Sequence, residues 1–181
     1  MAVQLDVKLV VEQTAREREA LHALSMAVYP PAASAADPAQ RQIAWASPEW
    51  GILVWDDAGA LVGYVGIVAR DVLLDGRAVR VGGIGGVKTH PAVRGQGYAR
   101  AALGRAATFM ADELGAAFGL LVCREELRPF YGGLGWQPFA GALLIEQPGG
   151  RVLFTFNRPL VLPLREPAPH AGTIDLCGLP W

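Results

Sequence analysis

The sequence predicts a mixed α/β fold in which a mostly antiparallel sheet carries one βαβ crossover. Three observations point to it. First, Gly51–Trp55, Leu61–Asp71 and Arg77–Thr89 are apolar runs joined by the turn signals Asp56-Asp57-Ala58-Gly59 and Asp75-Gly76, which makes an antiparallel meander. Second, the segment Arg94-Gly95-Gln96-Gly97 opens a helix over Gly97–Leu114, with Tyr98, Ala102, Leu103, Ala106, Phe109, Met110 and Leu114 on one broad apolar face. Third, Phe118–Cys123 is wholly apolar, as expected of a central strand covered on both faces. Strand, helix, strand is a crossover, so the strands ending at Thr89 and Cys123 are expected to run parallel.

The remaining elements follow in order. Leu5, Val7, Leu9 and Val11 alternate with Asp6, Lys8 and Val10, which predicts a strand with one buried face. Thr14-Ala15-Arg16-Glu17 is a capping box, so a helix starts at Thr14. Leu21, Leu24 and Val28 form its apolar stripe and Pro30-Pro31 ends it. Residues 30–47, rich in Ala, Pro, Ser and Asp, predict a long loop with a short helix near 38–44. Beyond the crossover, Gly115 suits a helix C-cap, and Glu125–Gly132 predicts a short helix with Pro129 in its first turn. Gln137–Glu146 and Arg151–Phe156 flank Pro148-Gly149-Gly150 as a hairpin. Pro159, Pro163, Pro167 and Pro169 predict a tail, 159–181, that runs extended over the surface. A single domain over 1–181 is expected.

Composition narrows the function. Apolar residues make up 52% of the 181, and charged residues 18%, which favours a packed core over disorder. Sixteen Lys and Arg against seventeen Asp and Glu supply no net field to recruit nucleic acid or a membrane surface. No apolar run is long enough to span a bilayer, and Asp6 and Lys8 interrupt any signal-peptide core. Cys123 and Cys177 lack metal spacing and are expected to be free thiols in a reducing, cytoplasmic setting. No metal is expected, and the sequence leaves a homodimer open.

The informative stretch is Val87 to Ala99. A strand end, a proline turn and two alternating glycines lead into a helix N-terminus, where main-chain N–H groups lack intrahelical partners and the helix dipole favours anions. Gly95 and Gly97 carry no Cβ, so a phosphate can approach the main chain. A Walker loop would need Gly-Lys-Ser/Thr, and a dinucleotide fingerprint a different opening order of strands.

With Arg94, Gly97 and Ala99 set as in Arg/Gln-x-x-Gly-x-Gly/Ala, and with Tyr131 shortly before Gly135-Trp136, the order of elements resembles the GNAT superfamily of acetyl-CoA-dependent N-acyltransferases. The resemblance covers most of residues 51–145. It implies a strongly twisted sheet with helices on both faces. It also implies that acetyl-CoA is the co-substrate and a primary amine of a small molecule or peptide the acceptor. By this resemblance the main chain of Val87, Lys88 and Thr89 pairs with the pantetheine arm, Arg94, Gly95, Gln96, Gly97, Tyr98 and Ala99 hold the pyrophosphate, and Tyr131 protonates the leaving thiolate. The Arg-Gly-Gln core and the Gly-Trp ending look most like the aminoglycoside 2'-N-acetyltransferase branch. That branch carries a Glu where Gly85 stands, and an Asp-rich C-terminus where this chain has Gly178-Leu179-Pro180. The alternatives to a general amine acetyltransferase are thus an aminoglycoside enzyme, an enzyme using a longer acyl donor, and a catalytically silent acyl-CoA-binding module. Gly85 and Trp181 are the candidate acceptor-cleft residues: the Trp181 ring could wall the cleft and its carboxylate could bind an ammonium. For a base the candidates are Glu49, His90, Glu125, the Trp181 carboxylate or a water.

Overall fold

The structure, a computed structural model, describes residues 3–30 and 42–181. The strands β1 (Gln4–Leu9), β2 (Trp50–Trp55), β3 (Leu61–Leu74) and β4 (Arg77–Thr89) form the antiparallel meander, with helix α1 (Ala15–Val28) between β1 and β2. Helix α2 (Tyr98–Asp112) crosses over to β5 (Phe118–Cys123), which is parallel to β4 as expected. Then come α3 (Arg128–Gly132), β6 (Gln137–Pro138), β7 (Ala142–Gln147), β8 (Gly150–Leu153), β9 (Arg158–Pro163) and β10 (Thr173–Asp175). All pairings are antiparallel except β4 with β5 and β10 with β7.

The local signals form what their chemistry dictates. Thr14 caps α1 through Glu17 N–H, and the Glu17 carboxylate accepts from Thr14 N–H at 2.7 Å, closing the capping box. Asp75 and Gly76 both have positive φ, 48° and 82°, which suits the tight two-residue hairpin between β3 and β4. Gly115 takes φ 66° just past α2, and Ala116 N–H reaches back to Met110 O.

Helices cover both faces. On one, α2 packs Leu103, Ala106, Phe109 and Met110 against Ile52, Val65, Ile67, Ile84 and Leu121. On the other, α1 places Leu24 on Leu53 and Tyr64. Farther along that second face, β7 and β10 curl over Val68, Val72, Val81 and Leu120.

Three expectations are corrected. The first strand stops at Leu9; a 3-10 turn over Val10–Glu12 leaves Val11 86% exposed, because β1 is an edge strand with β2 as its one partner. The late hairpin is β7–β8, turning at Gln147–Gly150, whereas Gln137 and Pro138 pair with β9. The tail does not lie over the surface at its start. Arg158–Pro163 is the strand between β5 and β6, with Leu160 and Val161 fully buried. Its prolines did not forbid this because Pro159 and Pro163 sit near its two ends. The short helix expected near 38–44 lies outside the described residues up to 41, and 42–47 contain no regular element.

Candidate functional site

The site begins with a gap between two strands. Strands β4 and β5 pair only from Val81↔Phe118 to Ile84↔Leu121. Beyond that, β4 runs on to Thr89 and β5 to Cys123 without touching as a ladder. On its other side β4 is irregular at the same point. Gly85 faces Gly66 and Lys88 faces Tyr64, so Gly86 and Val87 together stand opposite Val65 alone. This is a β-bulge, with Gly86 at φ 60°, and a bulge bends its strand and ends regular pairing. It leaves the main chain of Val87, Lys88 and Thr89 with no strand on the β5 side, where an extended ligand can pair.

The glycine loop follows directly. His90 N–H closes β4 onto Val62 O at 2.8 Å, and the His90 Nδ1 accepts from Ala92 N–H at the 3-10 turn Pro91–Val93. Arg94 folds back so that Nε donates to Thr89 O at 3.4 Å. Gly95 and Gly97 have φ 80° and 91°, and a Cβ on either would meet nothing within 4 Å. Glycine is required there by conformation, not by crowding, and the space over the loop is open. The first helical bond, Ala101 N–H to Gly97 O at 3.0 Å, leaves the earlier amides at the open end of α2. Gly95, Gln96 and Gly97 are exposed, whereas the Tyr98 side chain is 5% exposed in the core, so only its main chain belongs to the loop.

Three side chains with acidic protons meet near the gap. Tyr131, on α3, is 6% exposed and packs edge-on to Phe130 and Trp136. Among the described residues its hydroxyl has no hydrogen-bond partner. Burial pushes its pKa well up, and the neighbouring Cys123 and Tyr29 push it further. Burial also raises the Cys123 thiol to about 11, which keeps it a neutral thiol and a poor nucleophile. Tyr29, at the end of α1, points its hydroxyl at Val87 O from 3.4 Å, with Arg94 and Arg124 close enough to lower its raised pKa in part. The sequence reading missed Tyr29. Its only signal is an aromatic residue at a helix end beside a proline.

The face where the sequence leads us to expect the acceptor is built on glycine. Tyr64 and Gly66, two apart on β3, share a face, and so therefore do their β4 partners Lys88 and Gly85. On that face the Trp181 ring lies flat against Gly83: a Cβ there would come 1.9 Å from its Cε2. A Cβ on Gly85 would come 2.8 Å from the main-chain carbonyl carbon of Trp181. Trp181 Nε1 donates to Leu120 O on β5 at 3.1 Å, and the Arg70 guanidinium stands 5.3 Å over the ring while bonding to Leu179 O. Trp181 thus ties β4 to β5 at the last paired residues. Of the base candidates, Glu125 is exposed and held by Arg128 and Arg158, whose hydrogen bonds lower its pKa. Among the described residues no group of three or more His, Cys, Asp or Glu could hold a metal.

The comparisons with known proteins agree with this geometry. The sequence profile described as an acetyltransferase (GNAT) domain matches residues 10–139. No curated protein sequence matches the chain. Among solved structures, a GNAT family N-acetyltransferase (YhbS) from Escherichia coli in complex with CoA superposes with TM-score 0.60 at 17% identity, over 97% of this chain and 91% of that one. A putative N-acetyltransferase from Lactobacillus plantarum gives TM-score 0.63 at 17% identity, over 91% and 99%. A GNAT family acetyltransferase from Brucella melitensis in complex with acetyl-CoA gives 0.54 at 15%, over 94% of each chain. The structural likenesses establish the fold, and a family profile covering well over half of the residues establishes the lineage: the chain belongs to the GNAT acetyltransferase family.

Proposed function

We propose that the protein transfers an acetyl group from acetyl-CoA directly to a primary amine of a small molecule or peptide. The observation that carries this reading is the end of β4–β5 pairing at Ile84↔Leu121, immediately before a glycine loop and helix N-terminus. A gap between strands suits an amide-containing arm, and the open end of α2 suits its pyrophosphate. The residues present fit that group: Gly95 and Gly97 leave open space over exposed amides, and the Tyr131 ring is buried while its hydroxyl has no hydrogen-bond partner among the described residues. Acetyl-CoA would supply an activated acyl thioester.

In this reading the main chain of Val87, Lys88 and Thr89 pairs with the pantetheine arm. The amides of Gly95, Gly97 and Ala99 face the phosphates, and Arg94 and Gln96 border them. The raised pKa of Tyr131 keeps its hydroxyl protonated at neutral pH, and the proton passes to the sulfur as the carbon–sulfur bond breaks. Gly85 and Trp181 shape the acceptor cleft from the face opposite α2. The amine nitrogen bonds the acyl carbon, the carbon–sulfur bond breaks, Tyr131 gives its proton to the sulfur, and the proton lost by the amine nitrogen passes through solvent to restore the Tyr131 hydroxyl.

The test combines binding with turnover. Coenzyme A at a hundred times its dissociation constant is expected to stabilise the protein by about 2.7 kcal/mol, read as a rise in Tm. The absence of any rise sinks the reading. A free-thiol assay over a panel of amines then separates an enzyme from a silent acyl-CoA-binding module, which would bind without turnover.

A further inference from the structure

The acceptor side contains an ammonium with which no Asp or Glu pairs among the described residues. Lys88 is half-buried on β4, just past the Gly86 bulge and on the face where Trp181 covers Gly85. Its Nζ stands 5.0 Å from the Tyr64 ring centroid and 6.0 Å from that of Tyr29. It donates one hydrogen bond, to Gly86 O at 3.2 Å. An ammonium has three donors, so two are left over. Among the described residues no Asp or Glu pairs with it, although seven other ion pairs form, most of them exposed. Desolvation alone lowers its pKa, with no charged neighbour contributing. Two rings and one carbonyl hold the cation in place without neutralising it.

A partly desolvated, unneutralised ammonium beside the gap between β4 and β5 is suited to receive an anion. Its place matters. Val87, its chain neighbour, lines the gap between β4 and β5, and Tyr29, one of its two rings, points at the Val87 carbonyl. A molecule approaching the gap from the Trp181 face therefore meets Lys88 close to the point of reaction. There the charge has two effects. It attracts a carboxylate, and it raises the cost of a second ammonium. The latter lowers the pKa of a bound amine and so raises its neutral, nucleophilic fraction. That effect does part of the work of a base at a site where Gly85 offers no side chain.

We propose that Lys88 selects the acceptor: its ammonium binds a carboxylate on the incoming amine, so the protein acts on a small amino-acid-like compound and discriminates against polyamines. This rests on the acetyl-transfer reading given above, and the experiment separates the two. Binding is measured first, by thermal shift and calorimetry, in the presence of saturating coenzyme A. The probes are the free α-amino acids, their carboxamides, and linear diamines. The wild-type protein is expected to bind at least one amino acid about tenfold or more tightly than its carboxamide, the worth of one charge-assisted hydrogen bond. Lys88→Met is expected to erase that ratio and Lys88→Arg to retain most of it. Lys88→Glu is expected to turn the preference toward diamines. Where turnover is measurable, the loss in Lys88→Met is expected in KM for the acid more than in kcat. Equal binding of acid and carboxamide by the wild type overturns the proposal, as does a ratio that survives in Lys88→Met. Discriminating binding without any turnover would leave the Lys88 assignment standing and remove the transfer reaction instead.

Discussion

Tyr131 and Cys123 sit side by side, and their environments suit them to different roles. Both are buried and both have raised pKa values. A phenol held protonated is a usable donor to a thiolate; a thiol held protonated is a weak nucleophile. Tyr131→Phe removes one oxygen from a hydroxyl with no internal partner, so stability is expected to change little, while kcat falls about 10²-fold. Unchanged kcat in that variant would remove the assigned acid. Because the pKa is raised, the donor is present throughout neutral pH, and no alkaline loss of activity traceable to Tyr131 is expected below its ordinary pKa of about 10. Cys123→Ala is expected to keep turnover, and iodoacetamide is expected to label the exposed Cys177 well before Cys123, as mass mapping would show. The family resemblance singled out Tyr131 through its distance from the glycine loop. It could not show Tyr29, Lys88 and Tyr64 as a group, because they come from three elements brought together only by strand register and by the end of α1.

Among the elements, α1 and β4 do the most to shape the site. α1 is set by its first turn. Thr14→Ala removes the side-chain acceptor for Glu17 N–H and is expected to cost about 1 kcal/mol in chemical denaturation. Glu17 also adds a pH dependence. The Lys8 side chain hydrogen-bonds its carboxylate, and Thr14 N–H adds to this, so its pKa in the folded state lies below the ordinary 4.5. A lowered carboxylate pKa means that its contribution is complete above about pH 4.5 and is lost as pH falls through the folded value. Acid titration of Glu17→Gln should therefore show a shallower loss of stability in that window than the wild type, and an equal slope would contradict the assignment. β4 is set by its bulge. The Asp75-Gly76 turn signal and the apolar run after it placed the strand at Arg77–Thr89, its observed bounds, yet nothing in Gly85-Gly86-Val87 says that two residues will face one. Gly86→Val puts a β-branched residue at φ 60° and is expected to cost about 1–2 kcal/mol. If the bulge opens the gap, coenzyme A affinity falls with it. Full affinity in a folded Gly86→Val protein would show that the gap does not depend on the bulge.

For the molecule as a whole, the tail is what the sequence hid and the fold depends on. Its prolines suggest a surface path, yet Leu160 and Val161 form part of the core and β9 covers the edge of β5. Local composition described the chain's conformation, which is extended, but not its destination, which register and burial decide. The meander, the crossover and the α2 face were legible because their periodicities are local. The destination of Trp181 was not, since its partners Gly83, Leu120 and Arg70 are distant in sequence and one of them is a glycine. That pairing of a large ring with an absent side chain gives a sharp test. Trp181→Ala empties a buried site and is expected to cost about 3–5 kcal/mol. Gly83→Ala places a methyl where the ring is, 1.9 Å from Cε2, so the ring must leave, and the cost is expected to be about 1–3 kcal/mol or more. If the two residues act only through each other, the double variant Gly83→Ala/Trp181→Ala is no less stable than Trp181→Ala alone, since the methyl then enters vacated space. Thermal and denaturant melts of the four proteins measure the coupling directly. Additive losses would mean that Gly83 is required by the strand itself, and that the indole is not what holds β4 and β5 together at the foot of the gap.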